Sequence, residues 1–245
     1  MPAQRERIHL RYTLTFTAPF HCGTGLRAGL IHRTVQRDAD GWLVIPGSTI
    51  KGVVRDGCER VARLFDLEVS NPHAPRDLEE FKPPASPLVA LFGSRTRPGT
   101  LFFDDATLTE EWRALFQDER DSQRTPTFQR WQVQERTQVS LGRLTRTAQP
   151  GRLFTSEHGI PGLTFEGEIA GVITDYSTEV GKPSLALILL LAGLQLVDCL
   201  GGNRSAGAGR CWLEIGSLTV NGKPHDPSVL LADLGDLEVY SLSKE

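Results

Sequence analysis

The sequence lacks most of what would set it apart from ordinary globular chains. Its four cysteines, Cys22, Cys58, Cys199 and Cys211, stand far apart and form no C-x-x-C pair. That excludes a zinc ribbon and a disulfide scaffold and fits buried, reduced thiols. No apolar run is long: the longest starts at Leu185, reaches only to Leu200 and carries Gln195 and Asp198, short of the roughly 20 residues that span a bilayer. The first ten residues are charged and hold no signal-peptide stretch. A soluble, cytoplasmic protein without a membrane partner is expected. Lysine is scarce, 5 of the 27 basic residues, the other 22 being arginine. What is present, 245 residues with 39% hydrophobic and 23% charged, excludes a disordered tail, a collagen and a coiled coil. The length is ample for a sizeable core.

Arginine is the side chain suited to forked contacts with phosphate and to stacking on bases. The net charge of −3 conceals an uneven distribution. Residues 122–155 carry Arg124, Arg130, Arg136, Arg143, Arg146 and Arg152 against Glu135 alone, a local +5, whereas 213–245 sum to −4. A basic stretch on a mildly acidic body suits a polyanion bound along one face; a solvated surface with unevenly placed ions is the other reading. The acidic stretches read as solvated loops or partner surfaces.

Ile8, Leu10, Tyr12, Leu14, Phe16 and Ala18 place an apolar residue at every second position, the period of a half-buried strand. Pro46-Gly47-Ser48 then reads as a turn with a Ser48 helix cap. Ile50, Val53, Val54, Cys58, Val61, Ala62 and Phe65 follow as an amphipathic helix whose polar face carries Lys51, Arg55 and Arg63. The order repeats: Leu163, Phe165, Ile169 and Ile173 alternate as a strand, Pro183 opens a helix that runs to Leu200 and stops at Gly201-Gly202, and 210–220 is another strand. A short strand is expected within 99–108. The sum is an α+β fold with a ferredoxin-like (RRM-like) core, a sheet that commonly leaves one face open, the face RNA-recognition modules use. Two insertions, about 66–98 and 109–160, elaborate a single domain over 1–245, and inserts of that size are usually functional.

Gly23-Thr-Gly25-Leu-Arg-Ala28 matches G-x-G-x-x-A after a strand, but no helical stripe follows to present its N-terminus to a pyrophosphate. A small-ligand enzyme using that loop stays open as an alternative of another class. The loop 201–210 is more informative: four glycines admit close backbone approach, and Asn203, Arg204, Ser205 and Arg210 supply donors.

Ile45-Pro46-Gly47-Ser48-Thr49-Ile50-Lys51-Gly52-Val53-Val54-Arg55 resembles the I-P-G-S-S-L-K-G-x-x-R signature of the CRISPR-associated RAMP superfamily, and most of all its type III backbone subunits. Companions occur in order: His21-Cys22-Gly23 resembles the family's H-x-G, Leu91-Phe92-Gly93 with Asp105-Ala106 its L-F-G and D-A pair, and 152–165 the segment leaving its thumb-like insertion. The glycine loop occupies the place of its C-terminal G-rich loop. The resemblance implies relatives stacked along a guide RNA, with guide and target RNA, further backbone subunits and a large signalling subunit as partners. It implies a thumb-like hairpin that splays bases, using Arg124, Phe128, Arg130, Trp131 and Arg136. It further implies that Ser48, Lys51 and Arg55 meet guide phosphates, that His21 lies beside the guide, and that Asn203, Arg204, Ser205 and Arg210 clamp backbone. One cationic track formed by Lys51, Arg55, Arg204 and Arg210 is the expectation.

Target-cleaving relatives carry an Asp in a pattern like G-x-x-D-x-x-x-x-R. Here Gly29-Leu-Ile-His32-Arg-Thr-Val-Gln-Arg37 places His32 at that position, and an imidazole poorly replaces a carboxylate toward a hard ion such as Mg. No cofactor is expected unless target cleavage occurs. Asp38 is a second candidate, although acids beside glycine usually form turns. Metal-free chemistry would use His32 as base toward a ribose 2′-OH with His21 as acid. An endoribonuclease cutting precursor guide or target RNA is thus the alternative to a guide-RNA-binding backbone subunit.

Overall fold

The computed structural model of the chain describes residues 4–67, 69, 87–94, 98–118, 128–175 and 184–240. In chain order its elements are β1 (Gln4–Phe16), β2 (Val44–Ile45), α1 (Gly47–Leu64), α2 (Pro87–Phe92), β3 (Leu101–Phe103), β4 (Ala106–Leu108), α3 (Glu110–Asp118), α4 (Phe128–Trp131), β5 (Val133–Leu141), β6 (Ala148–Gly159), β7 (Thr164–Asp175), α5 (Leu185–Gln195), β8 (Cys211–Val220), β9 (Lys223–His225) and α6 (Pro227–Leu231). The N-terminal alternation becomes the centre of an antiparallel sheet ordered β2–β4–β7–β1–β8–β9, with β3 also on β7. Ile8, Leu10, Tyr12, Leu14 and Phe16 of β1 all point inward and are at most 2% exposed. The fold is α+β. The short strand expected within 99–108 is two, β3 and β4, broken at Asp104-Asp105, where the Asp104 N–H bonds the Glu168 carbonyl at 3.1 Å.

α1 and α5 cross on the inner face of the sheet. Residues 185–194 of α5 are all buried, as an all-apolar helix requires, because the sheet, α1, α2, α6 and a 3-10 segment over Ala232–Tyr240 enclose it. This corrects the expectation that the acidic tail is a solvated loop: Leu230 and Leu237 insert into the core. The expected cap at Ser48 is also corrected. The helix begins two residues earlier, with Pro46 at its N-cap and no side-chain cap bond, and the Gly47 N–H is held instead by the Asp105 carboxylate at 2.8 Å. At α5 the cap is Ser184, whose hydroxyl accepts from the Leu187 N–H at 3.3 Å, while the Glu6 carboxylate takes the Ser184 N–H; Pro183 lies outside the described residues. α5 ends at Gln195, short of Leu200, because the Leu196 and Val197 amides turn back to Gly193 and Leu194 and release the chain.

The outer face of the sheet is not the cationic surface an RNA-recognition module offers. The cross-strand neighbours of Arg11 and Thr13 include Glu168, Glu166 and Glu214, and side chains opposite one another share a face. His9 and Arg11 are both paired to Glu168, at 2.9 and 2.7 Å. Asp104, Asp105, Glu166 and Glu168 line a cleft of about 640 Å³ there. Carboxylates dominate this cleft, while Arg5 and Arg7 lie exposed on the same side of β1 farther along the strand.

Candidate functional site

The cationic site lies elsewhere, where the loop after β1 meets the foot of the β5–β6 hairpin. Residues 20–37 form a two-limbed loop: the Thr24 N–H bonds the Thr34 carbonyl at 3.1 Å and the Gln36 N–H the Cys22 carbonyl at 2.8 Å. Its outgoing limb lies along β6, with the His32 N–H on the Thr155 carbonyl at 2.8 Å and the Glu157 N–H on the Arg33 carbonyl at 2.9 Å. The glycine loop closes the other side. Its base is fixed by Leu200 and Gly209, whose amide–carbonyl bond is 2.8 Å, and the Gly202 N–H docks on the His21 carbonyl at 2.9 Å. Gly209 sits at φ +82°, and a Cβ there would lie 2.0 Å from the Leu200 oxygen, so only glycine closes this loop. Among the described residues, the groove between them holds about 620 Å³ and is lined by His21, Arg27, His32, Arg33 and Arg204 with Thr49 and Val53 of α1, and no carboxylate.

Both imidazoles are oriented by β6. The His21 Nδ1 donates to the Glu157 carbonyl at 2.7 Å, and the Thr155 N–H donates to the His32 Nδ1 at 3.2 Å. A Cβ at position 23 would lie 2.5 Å from the His21 Nε2, which gives the H-x-G spacing a steric reason: the imidazole occupies the space a side chain would need. Beneath His21, at 5.5 Å between ring centroids, lies His158, whose pKa is lowered, first by burial and then by the neighbouring His21. Burial pushes the Cys22 thiol up to about 12, so it is no nucleophile at neutral pH.

The hairpin itself is buried only at its foot. Over most of its length β5–β6 is exposed and carries Arg136, Arg143, Arg146 and Arg152, along with exposed Leu141, Leu144 and Leu153. Gln132 fixes the foot: it is fully buried, its Oε1 accepts the Leu43 N–H at 2.7 Å and its Nε2 donates to the Gly41 carbonyl at 3.3 Å. Gln132→Leu is expected to cost about 1–3 kcal/mol, because it strands the buried Leu43 N–H, while the Gly41 carbonyl keeps the Arg37 Nη1 at 3.3 Å; urea unfolding measures it, and an unchanged midpoint would refute the anchoring role.

Comparison with known proteins matches the RAMP superfamily model over residues 13–212. The chain belongs to the RAMP superfamily. Its fold is also similar to a chain of the Type III-B Cmr-beta bound to cognate target RNA, at TM-score 0.56 and 12% identity, covering 84% of this chain and 96% of that one. No curated protein matches the chain. Among the described residues of this RAMP protein, no helix is long and apolar enough to cross a membrane.

The RAMP chain gathers some of the residues singled out in its sequence and separates others. His21, His32 and Arg204 share the groove. Asn203, left-handed at φ 60°, and Ser205 belong to the exposed tip of the same loop. Arg210 stands at the loop's far end, where its carbonyl accepts from Thr17 and Ala18. Ser48, Lys51 and Arg55 do not line the groove. At 100° per residue, Lys51 and Arg55 lie about 160° around α1 from Thr49 and Val53, and Arg55 is paired with Glu59 at 2.9 Å. The single track through Lys51, Arg55, Arg204 and Arg210 is therefore corrected to a groove on the opposite flank of α1. Asp38 is a turn former: its Oδ1 accepts the Asp40 and Trp42 amides at 3.0 and 2.9 Å, and its Oδ2 faces Arg113 at 3.8 Å. Arg130 and the half-exposed Trp131 precede the hairpin in α4, Arg136 lies on β5, and Phe128 opens α4; Arg124 lies outside the described residues. No helix opens after Gly23–Ala28, so the dinucleotide context is missing. The sequence reading missed Arg27 and Arg33, whose signal was present: both interrupt a glycine-rich loop next to the two histidines.

Proposed function

We propose that the chain is a guide-RNA-binding backbone subunit of a type III CRISPR effector complex, acting in the cytoplasm with guide RNA, target RNA and other effector subunits as partners. The observation that carries this is the groove in which Arg27, Arg33 and Arg204 join two imidazoles without a carboxylate. Such a site holds a sugar–phosphate backbone by charge and does not need to read bases, since pairing with a guide carries sequence. The family membership and the similarity to a chain of an RNA-bound complex support it. The exposed β5–β6 hairpin, with its arginines and with Trp131 at its foot, serves as the thumb that displaces bases. Strands β4–β7–β1–β8, with α1 and α5 as their crossovers, support a ferredoxin-like core in one domain.

Filter binding of a labelled single-stranded guide-repeat RNA across a salt series tests the reading. Three phosphate-neutralising arginines on a single strand give a log–log slope near about −2, with little dependence on guide sequence. Failure to bind such RNA at low salt would overturn it.

A further inference from the structure

The acidic cleft of the sheet is built around a buried polar group without a partner. Tyr12 is 2% exposed, and among the described residues its hydroxyl makes no hydrogen bond. The ring crosses from β1 to β7 over Gly167, where a Cβ would collide with the hydroxyl. The hydroxyl thereby reaches the break between β3 and β4 and lines the cleft with Asp104 and Asp105. Burial, and then the charges of Asp104 and Asp105, raise its pKa, so it is a neutral phenol with a donor and an acceptor to offer. Buried polar groups in native chains are as a rule hydrogen-bonded.

The surroundings say what would meet it. Glu168 is held by His9 and Arg11, and Asp105 by the Gly47 N–H. Asp104 and Glu166 line the cleft with no ion pair among the described residues. The charge left over repels phosphate and attracts a cation. No three acidic groups among the described residues stand close enough to hold a metal ion, whereas two carboxylates and a phenol oxygen suit the forked N–H donors of a guanidinium. Exposed aromatic rings flank the acids on the same face. Phe102 is the cross-strand neighbour of Ala170, two residues past Glu168, and Trp212 stands two residues before Glu214. From Thr164, level with Trp212 through Thr15, to Ala170 is about 20 Å along the strand. A small polyamine would leave those rings bare. A protein segment with an arginine between apolar side chains covers acids and rings together, and arginine and aromatic residues are the usual anchors of protein interfaces.

We propose that this cleft docks an arginine of a separate protein chain, held by Asp104, Glu166 and the Tyr12 hydroxyl, with apolar side chains of the same segment on Phe102 and Trp212. The choice of a separate chain over a second copy rests on the reading above, in which the arginines of this chain's own hairpin engage RNA.

The test uses the purified chain at low salt, where screening is weak, and a fluorescent peptide of alternating leucine and arginine. The same peptide with citrulline keeps the shape and removes the charge. The arginine peptide is expected to bind about 10-fold or more tightly than the citrulline one. Asp104→Asn combined with Glu166→Gln lowers its affinity by a similar factor. Tyr12→Phe lowers it by roughly 3–10-fold and at the same time raises the melting temperature of the free chain, because an unpartnered buried hydroxyl is removed; a merely structural role would move the melting temperature alone. RNA affinity is unchanged in all three. Equal binding of the two peptides, unchanged affinity in the variants, or spermine binding more tightly than the arginine peptide overturns the inference. So does self-association of the chain, followed by sedimentation, that the Asp104/Glu166 variant abolishes, because a second copy then fills the cleft. None of these outcomes touches the RNA reading, which falls only if the chain fails to bind RNA; sedimentation then decides by itself between a second copy and a separate chain.

Discussion

Replacing Arg27, Arg33 and Arg204 together with alanine is expected to flatten the salt dependence of RNA binding by about 2 units of log–log slope, since each phosphate neutralised on a single strand contributes about 0.7. If only the counterion term is lost, affinity at about 50 mM salt falls roughly 500-fold, and at about 200 mM roughly 30-fold, against a reference near 1 M where the term vanishes. Replacing Lys51 and Arg55 makes the contrast: they lie on the other flank of α1, and Arg55 already faces Glu59 at 2.9 Å. Their double alanine variant should change the slope little. Filter binding at four or more salt concentrations separates the two sets. If the Lys51/Arg55 variant loses slope and the groove variant does not, the RNA path runs along the wrong side of the helix in our assignment.

The distribution of charge gives this contrast its force. A polyanion and a sheet face bearing Glu166, Glu168 and Glu214, with Asp104 and Asp105 at its rim, repel one another, whereas the groove holds arginines and imidazoles alone. The mild overall negative charge of −3 therefore does not by itself oppose RNA binding at a groove whose lining holds no carboxylate. Loop and hairpin supply the cations because their backbones are already committed to each other through Thr155 and Glu157, so binding orders few additional residues.

Much of the framework was legible because it is periodic. The two-residue alternation of β1 and β7 and the stripe of α1 follow from burial of one face, and both survive in the structure. The groove was only half legible. His21 and Arg204 stood in recognisable local patterns, but their convergence with His32 depends on β6, more than a hundred residues away, and on main-chain hydrogen bonds that no side-chain pattern records. Lys51 and Arg55 stand apart from the groove for a different reason: four-residue spacing on a helix announces a shared face but not which neighbour that face meets. The rotation separating them from Thr49 and Val53 was present in the sequence all along. The C-terminal helices escaped notice because Asp226, Asp233, Asp236 and Glu238 drew attention to charge although Leu230, Leu231, Leu234 and Leu237 stand among them; the burial of Leu230 and Leu237 follows from the need to cover α5, a requirement visible only once the helix is placed.

At the crossing of α1 and α5 a single methyl group should reverse the usual effect of replacing glycine by alanine in a helix. A Cβ on Gly193 would lie 2.3 Å from the Cys58 sulfur and 2.8 Å from the Cys58 nitrogen, and one on Gly57 would lie 2.5 Å from the Gly193 oxygen. Cys58 itself is fully buried, with its thiol toward the Leu189 carbonyl at 3.4 Å, so neither helix has a free rotamer with which to yield. In an isolated helix, exchanging glycine for alanine gains about 1 kcal/mol. Here the backbones must separate, and overpacking of a filled core costs about 1–3 kcal/mol, enough to reverse the sign. Net of that gain, Gly193→Ala is expected to cost up to about 2 kcal/mol and so to lower the melting temperature by up to roughly 8 °C for a chain of this size. Gly52, one helix face away, has open space where its Cβ would stand, and Gly52→Ala should raise stability by about 0.5–1 kcal/mol. Thermal melts of the two variants beside the parent decide the matter. If both alanines stabilise, the helices do not meet backbone to backbone at Gly57 and Gly193; if both destabilise, Gly52 has a packing role that its open surroundings do not show.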